Sequence, residues 1–406
     1  MNQGSFIRYN SIDLKYRLII NFEMNNPKPK KIFYLFTKAG GGHVAALEAL
    51  KRAIKDLKGE DAFIHKEIDV SAIGGKIQGL LWSRKTYSCA LKYFPFLYGM
   101  LFKLFNIKLL TEMLIKLNHP NLGRSLRKLI LDESPDLIIS VHPLANTSLV
   151  RVLKDLGLLG KTPIVNVVTE LIYIHRFWAV PEFDLTIVAT EEAKNKCIEY
   201  GCSPERVKLI GIPVDPRFLQ AYPDKGTLRL GMGLSPDKFT ILIMGGAEGF
   251  GKIYDQVRAL NKLQKDFQVI VIAGRNDKLF ERLESEKECF KFPLKLYGFT
   301  KEVPIIMRAA DLLLSKSGPQ TVVEAIASEL PLISTGYIPG QEEPIPEWVE
   351  KTGIGKYMAN PKETVKIINE LIEKKEIEKM KKNMRRIKNP KVTYETAGVI
   401  LSLAFH

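Results

Sequence analysis

From Lys31 onward, short apolar runs rich in β-branched residues alternate with longer stretches whose apolar positions recur every three or four residues. KIFYLFT leads into an amphipathic stretch from about His43 to Leu57, and DAFIHKEIDV, PDLIISVH, TPIVNVVT, FDLTIVAT and RVKLIG follow as further strands. A second series then runs FTILIMGG, FQVIVIAG, PLKLYG, ADLLLSKSG and LPLISTG, each with a helix after it. Strands alternating with helices predict βαβ units and parallel sheets. Between the two series, GIPVDPRFLQAYPDKG concentrates proline and glycine as a linker does. The pattern therefore predicts an α/β protein of two doubly wound, Rossmann-like domains, with a ligand cleft between the carboxyl ends of their strands. Residues 1–30, ending in NPKPKK, read as a lead-in arm; 31–215 form the first domain and 216–388 the second. Residues 389–406 contain an apolar helix expected to return to the first domain.

Composition narrows the function without choosing it. A chain of 406 residues with 46% hydrophobic and 26% charged residues is neither a disordered nor a small disulfide-stapled protein. The net charge of +15 favours anionic partners. Cys89, Cys197, Cys202 and Cys289 form no C-x-x-C pair, so neither a zinc site nor a disulfide framework is expected. The start lacks the regions of a secretory signal, and the longest uncharged stretch, Leu137–Val150, is short of the roughly 20 apolar residues that span a bilayer. Residues 75–117 mix aromatic and aliphatic side chains with cations, among them Trp82, Arg84, Lys85, Phe94, Phe96 and Lys103. That mixture fits a peripheral surface dipping into an anionic leaflet, or a buried helical hairpin. No nucleic-acid-binding signature accompanies it.

Candidate chemistry lies where strands end. KAGGGHVAALEAL places Gly40, Gly41 and Gly42 before a helix start, where free N–H groups suit an anion, and sets His43 at the cleft rim as a candidate base. GGAEGFGKI nearly matches a phosphate loop, but Ile253 stands where the Mg²⁺-binding hydroxyl belongs; what remains is Gly245 and Gly246 offering N–H groups to a diphosphate. Arg275 and Asn276 end one strand, Ser317 and Gly318 precede a helix carrying Glu324, and Gln341 with Glu342 follows the next strand. Amides and carboxylates accept bonds from sugar hydroxyls while N–H groups and a guanidinium take phosphate, so the set suits a sugar nucleotide. No D-x-D pair is present, so no metal or other cofactor is expected on the diphosphate.

These stretches together resemble the monogalactosyldiacylglycerol synthase and processive diacylglycerol glucosyltransferase group, inverting GT-B enzymes related to the peptidoglycan N-acetylglucosaminyltransferase. The resemblance runs from Lys31 to about Lys374 and is carried by GGGHVAALEAL, IMGGAEGFGK, IAGRNDKL, YGFT, SKSGPQTVVEAIASELPLI and YIPGQEE. It implies transfer of galactose or glucose from a UDP-sugar to a membrane lipid, diacylglycerol above all, at the cytoplasmic face of a membrane. A polyprenyl-linked or saccharide acceptor, or a non-catalytic nucleotide-binding membrane module, are the alternatives. By position, the resemblance gives Phe299 to uracil, Glu324 to ribose, Gln341 and Glu342 to the hexose, and Gly245, Gly246, Ser317 and Gly318 to the diphosphate. His43, beside Gly41 and Gly42, matches the histidine of the family's glycine-rich loop. TELIYIHRFW departs from the family pattern by placing Glu170 where relatives have Asp, while His175 and Trp178 are kept. Gln320 stands where relatives often have a small residue. The base is then Glu170 or His43.

Overall fold

The computed structural model describes residues 29–38, 40–74 and 84–405, without the side chains of Arg84, Lys85 and Ser88. The first 28 residues of the arm and Trp82 lie outside the described residues. Two six-stranded parallel sheets form the frame. The first contains β1 (Lys30–Phe36), β2 (Phe63–Asp69), β3 (Leu137–Ser140), β4 (Ile164–Val167), β5 (Leu185–Val188) and β6 (Val207–Leu209) in the order β2-β1-β3-β4-β5-β6. The second contains β7 (Phe239–Met244), β8 (Phe267–Ile272), β9 (Leu294–Tyr297), β10 (Leu312–Ser315), β11 (Leu332–Ser334) and β12 (Gly355–Tyr357) in the order β12-β11-β10-β7-β8-β9. The sequence pattern did not show β12, since the three residues GKY carry no apolar run and form an edge strand only because β11 presents its free side.

Continuous apolar runs such as ILIM and VIVI are buried on both faces, as strands of a helix-covered parallel sheet must be. In each sheet the chain reverses direction of winding next to its first strand, between β1 and β3 and between β7 and β10. The loops leaving those strands cannot fold over one another there, so each leaves a crevice at the carboxyl ends. The two crevices face each other. A shared apolar cluster floors the gap, joining Ala46 and Leu171 of the first half to Phe218, Val322 and Ile326 of the second.

The helix Val392–Ala404 returns to the first sheet, where Ala397, Ile400 and Leu401 pack with Ile32, Leu47 and Leu50. Its start is pinned to the linker. Thr393 Oγ1 donates to the Val214 carbonyl at 2.6 Å and accepts from the Val214 N–H at 3.0 Å, and Asn389 Nδ2 reaches the Ile210 carbonyl at 3.2 Å.

Between β2 and β3, the helices Arg84–Tyr93, Pro95–Leu104 and Lys108–Glu133 leave large apolar side chains in solvent. Phe96, Met100 and Leu104 recur every four residues along one helix, and Leu109, Met113 and Leu117 along the next. Phe96 is 82% exposed. No helix among the described residues is long and apolar enough to cross a membrane.

Candidate active site

The loop after β1 begins the helix Gly41–Lys58 with Gly40 at φ 83°, a left-handed conformation that glycine adopts without strain, and no side chain caps the helix start. Its first N–H groups are thus open. Across the gap, the helix Pro319–Ser328 also starts uncapped, behind Gly318. The two starts nearly touch. A Cβ on Gly42 would lie 3.4 Å from the Gln320 Cβ, and one on Gly41 would lie 2.9 Å from that of Ala247, so glycine is what allows this approach. Two helix N-termini, each with partial positive charge, converge on one space.

The Gly245–Gly251 turn after β7 closes upon itself. Phe250 N–H donates to the Gly245 carbonyl at 2.9 Å, and Arg275 N–H to that of Ala247 at 2.9 Å. Any Cβ on Gly245 would come within 2.1 Å of the Phe250 carbonyl oxygen. Arg275 lies with its guanidinium 4.0 Å from the centre of the half-exposed Phe299 ring and pairs with Glu248 at 3.2 Å. Asn276 caps the helix Asp277–Ser285 through the Leu279 N–H and contacts the Gly249 carbonyl, so its amide is spent on the loop. Ser317 is buried with its hydroxyl bonded to that of Ser334.

On the first wall, His43 Nδ1 lies 2.5 Å from the Thr169 hydroxyl, and its ring meets that of His142 edge-on at 4.6 Å. The buried Trp178 ring stands 6.1 Å away. Burial lowers His43 to about 4, against the pull of the Val141 carbonyl, so its imidazole is neutral at pH 7. Burial and the neighbouring His43 hold His142 well below the usual histidine range. His175 is a pillar rather than a rim group. It stacks on Phe177 at 4.7 Å, meets Phe102 edge-on at 5.1 Å, and accepts the Phe177 N–H on Nδ1.

Glu170 is 5% exposed, and its Oε1 accepts from Gln341 Nε2 at 2.6 Å across the gap. Its Oε2 is buried with no partner. Burial raises this carboxyl to about 8, with the Gln341 bond opposing and Glu342 adding to the rise. A neutral carboxyl with one bare oxygen is the result at pH 7. Glu342 lies opposite. Its Oε1 accepts from Lys316 Nζ at 2.7 Å and its Oε2 from the Ile338 N–H at 2.8 Å. Glu324 accepts from Gln320 Nε2 at 3.1 Å, and burial raises it to about 7.

Sequence reasoning missed His142, Thr169, Lys316 and Tyr98. The first three each sit just past the carboxyl end of β3, β4 or β10, so their position at the ends of strands, beside a winding reversal for His142 and Lys316, was the available signal. Tyr98 carried none, because its partner Gln341 lies 243 residues away. Among the described residues, no group of three or more His, Cys, Asp or Glu is arranged to hold a metal ion.

Comparison with known proteins decides the family. The monogalactosyldiacylglycerol synthase family model matches residues 43–214, and that of the glycosyltransferase family 28 C-terminal domain matches 240–392. A probable chloroplastic monogalactosyldiacylglycerol synthase of Glycine max is 31% identical over 379 residues, 91% of this chain and 70% of that protein. The chain belongs to the monogalactosyldiacylglycerol synthase family. This synthase-family chain is a glycosyltransferase of GT-B architecture. Os79 from O. sativa, solved with U2F and trichothecene, superposes with a TM-score of 0.61 at 15% identity, covering 91% of this chain and all of that one. Anabaena HepE, solved with UDP-glucose, gives 0.54 at 17%, covering 92% and 99%. Within the synthase family frame, His43 opens the first matched segment and the Gln341–Glu342 pair falls in the second.

Proposed function

We propose that the chain moves a hexose from a UDP-sugar to a membrane lipid hydroxyl, most simply that of diacylglycerol, with inversion at the anomeric carbon. The observation that carries this reading is the meeting of two uncapped helix starts across the gap, at Gly41 and at Pro319, a place for a diphosphate. The name of the Glycine max relative supports a diacylglycerol acceptor and galactose, and the UDP-glucose held by HepE supports a UDP-sugar donor. Uracil would lie at Phe299, ribose at Glu324, and the hexose at Gln341 and Glu342.

His43 is the base. Its imidazole is neutral across the physiological range, its ring is held in place by Thr169 and His142, and it can take the acceptor proton as the lipid oxygen attacks the anomeric carbon. Glu170 is neutral at pH 7 and therefore serves as a hydrogen-bond donor beside the sugar. As the anomeric C–O bond to UDP breaks, charge on the departing diphosphate is stabilised by the two helix starts. No step calls for a metal. The exposed rows Phe96–Met100–Leu104 and Leu109–Met113–Leu117, with Lys92, Lys108 and Lys116 nearby in sequence, would enter an anionic leaflet on the cytoplasmic side, as would Phe94.

UDP release tests the reading, with UDP-galactose and UDP-glucose supplied separately, with and without diacylglycerol in anionic liposomes. Lipid-dependent release is expected, and the productive donor names the sugar. Nucleotide binding with no lipid-dependent release would refute transfer to diacylglycerol.

A further inference from the structure

The helix Pro95–Leu104 serves two surfaces at once. Phe96, Met100 and Leu104 point to solvent, while Tyr98, Gly99 and Phe102 lie against the loop of the second domain that ends in Gln341 and Glu342. The approach is close. A Cβ on Gly99 would come within 2.6 Å of the Pro339 Cβ, and one on Gly340 within 2.9 Å of the Gly99 carbonyl oxygen and 3.2 Å of the Phe102 Cβ. Lys103 Nζ pairs with Glu343 at 2.6 Å on the rim of the same contact.

At its centre the Tyr98 hydroxyl donates to Gln341 Oε1 at 3.2 Å, while Gln341 Nε2 donates to Glu170 Oε1 at 2.6 Å. A primary amide has one accepting and one donating end, and a bond at each end fixes where the side chain lies. Tyr98 is half-buried, and its ring is braced edge-on by Tyr87 at 5.9 Å and stacked with Phe102 at 6.2 Å, so the phenol oxygen is held beside the amide. Gln341 is therefore held beside Glu170 with the help of a side chain carried by the opposite domain.

We propose that Tyr98 is a positioning residue for donor reading: its hydroxyl holds the Gln341 amide in place, so the helix bearing the exposed apolar row also sets how the hexose is recognised. This rests on the reading that Gln341 and Glu342 meet the sugar. Tyr98 need not touch the donor. Its effect passes through one hydrogen bond, so it belongs to hexose binding and leaves uridine and diphosphate binding alone.

The test compares Tyr98→Phe, Gln341→Ala, the double variant and Glu343→Ala in the full chain, measuring KM and kcat for the productive UDP-hexose with lipid present, and Kd for UDP alone. Tyr98→Phe keeps the ring packing and is expected to raise the UDP-hexose KM about three- to tenfold, with kcat within about twofold and UDP binding unchanged, the signature of lost sugar binding. The double variant should be no worse than Gln341→Ala, since the hydroxyl acts only through that amide. Glu343→Ala, which removes the other polar tie of the same helix, should leave KM near wild type. Tyr98→Phe behaving as wild type while Gln341→Ala raises KM would overturn the role of Tyr98 and leave the donor reading standing. A Glu343→Ala variant with the same KM rise would overturn it too, by showing that helix seating and not the hydroxyl matters. If Gln341→Ala has no effect, the donor reading at this loop fails and the proposal with it.

Discussion

On the second domain's wall of the cleft, Glu342 has a donor on each carboxylate oxygen, Ser317 is bonded to Ser334, and Arg275 is held between Glu248 and the Phe299 ring. On the first wall, Glu170 is as deeply buried but has a bare oxygen, and two histidines stand neutral edge to face. The contrast reflects two kinds of work. Groups that bind a charged donor gain from being fixed in advance, because their orientation is not then a cost of binding. A group that must accept a proton has to keep a lone pair and a neutral state in reserve, which a saturated ion-pair network would deny it.

Four measurements press on this contrast. The largest effect is expected from His43→Ala, which should lower kcat by about 10²- to 10⁴-fold while UDP affinity stays near wild type. Unchanged turnover would remove His43 from the mechanism. Next, Lys316→Met leaves Glu342 Oε1 without its donor and should destabilise the protein by about 1–3 kcal/mol in denaturant unfolding, with a raised donor KM. A stable, fully active variant would show that the second wall does not depend on its saturation. Phe299→Ala, removing the platform under Arg275, should weaken UDP binding about three- to tenfold by calorimetry.

The smallest effect at pH 7 concerns Glu170→Gln. The carboxyl is neutral there, so the amide should keep activity within about threefold, and a collapse in kcat would reassign the base to Glu170. The pH dependence is the sharper probe. Its folded value, about 8, lies above the ordinary 4.5, so stability held below 4.5 is lost as pH rises through about 8. Wild type should therefore fall behind Glu170→Gln in thermal midpoint over that window. Parallel midpoints would show that Glu170 is not held neutral by burial.

The architecture was legible because parallel strands covered on both faces are written as unbroken apolar runs, as in IFYLF of β1, LII of β3 and ILIM of β7, while β2, β6 and β9, broken by charged residues, were marked by their place between helical stretches. β12 was not, since its pairing is dictated by the neighbour rather than by GKY itself. In the site, the glycines before His43 and the Gln341–Glu342 pair stood out because backbone approach and sugar chemistry demand unusual residues. Lys316 and His142 did not, because what marks them is position at a winding reversal, and Tyr98 was hidden in a helix whose aromatic content spoke first of lipid.

The linker and the chain's return crossing are stitched together where Thr393 grips both polar groups of Val214 and Val392 meets Gly211, at which any Cβ would come within 2.6 Å of the valine. Two covalent connections thus run through one tied junction. A chimaera exchanging donor preference between family members therefore has to be cut twice, leaving residues 392–404 with the half that carries His43.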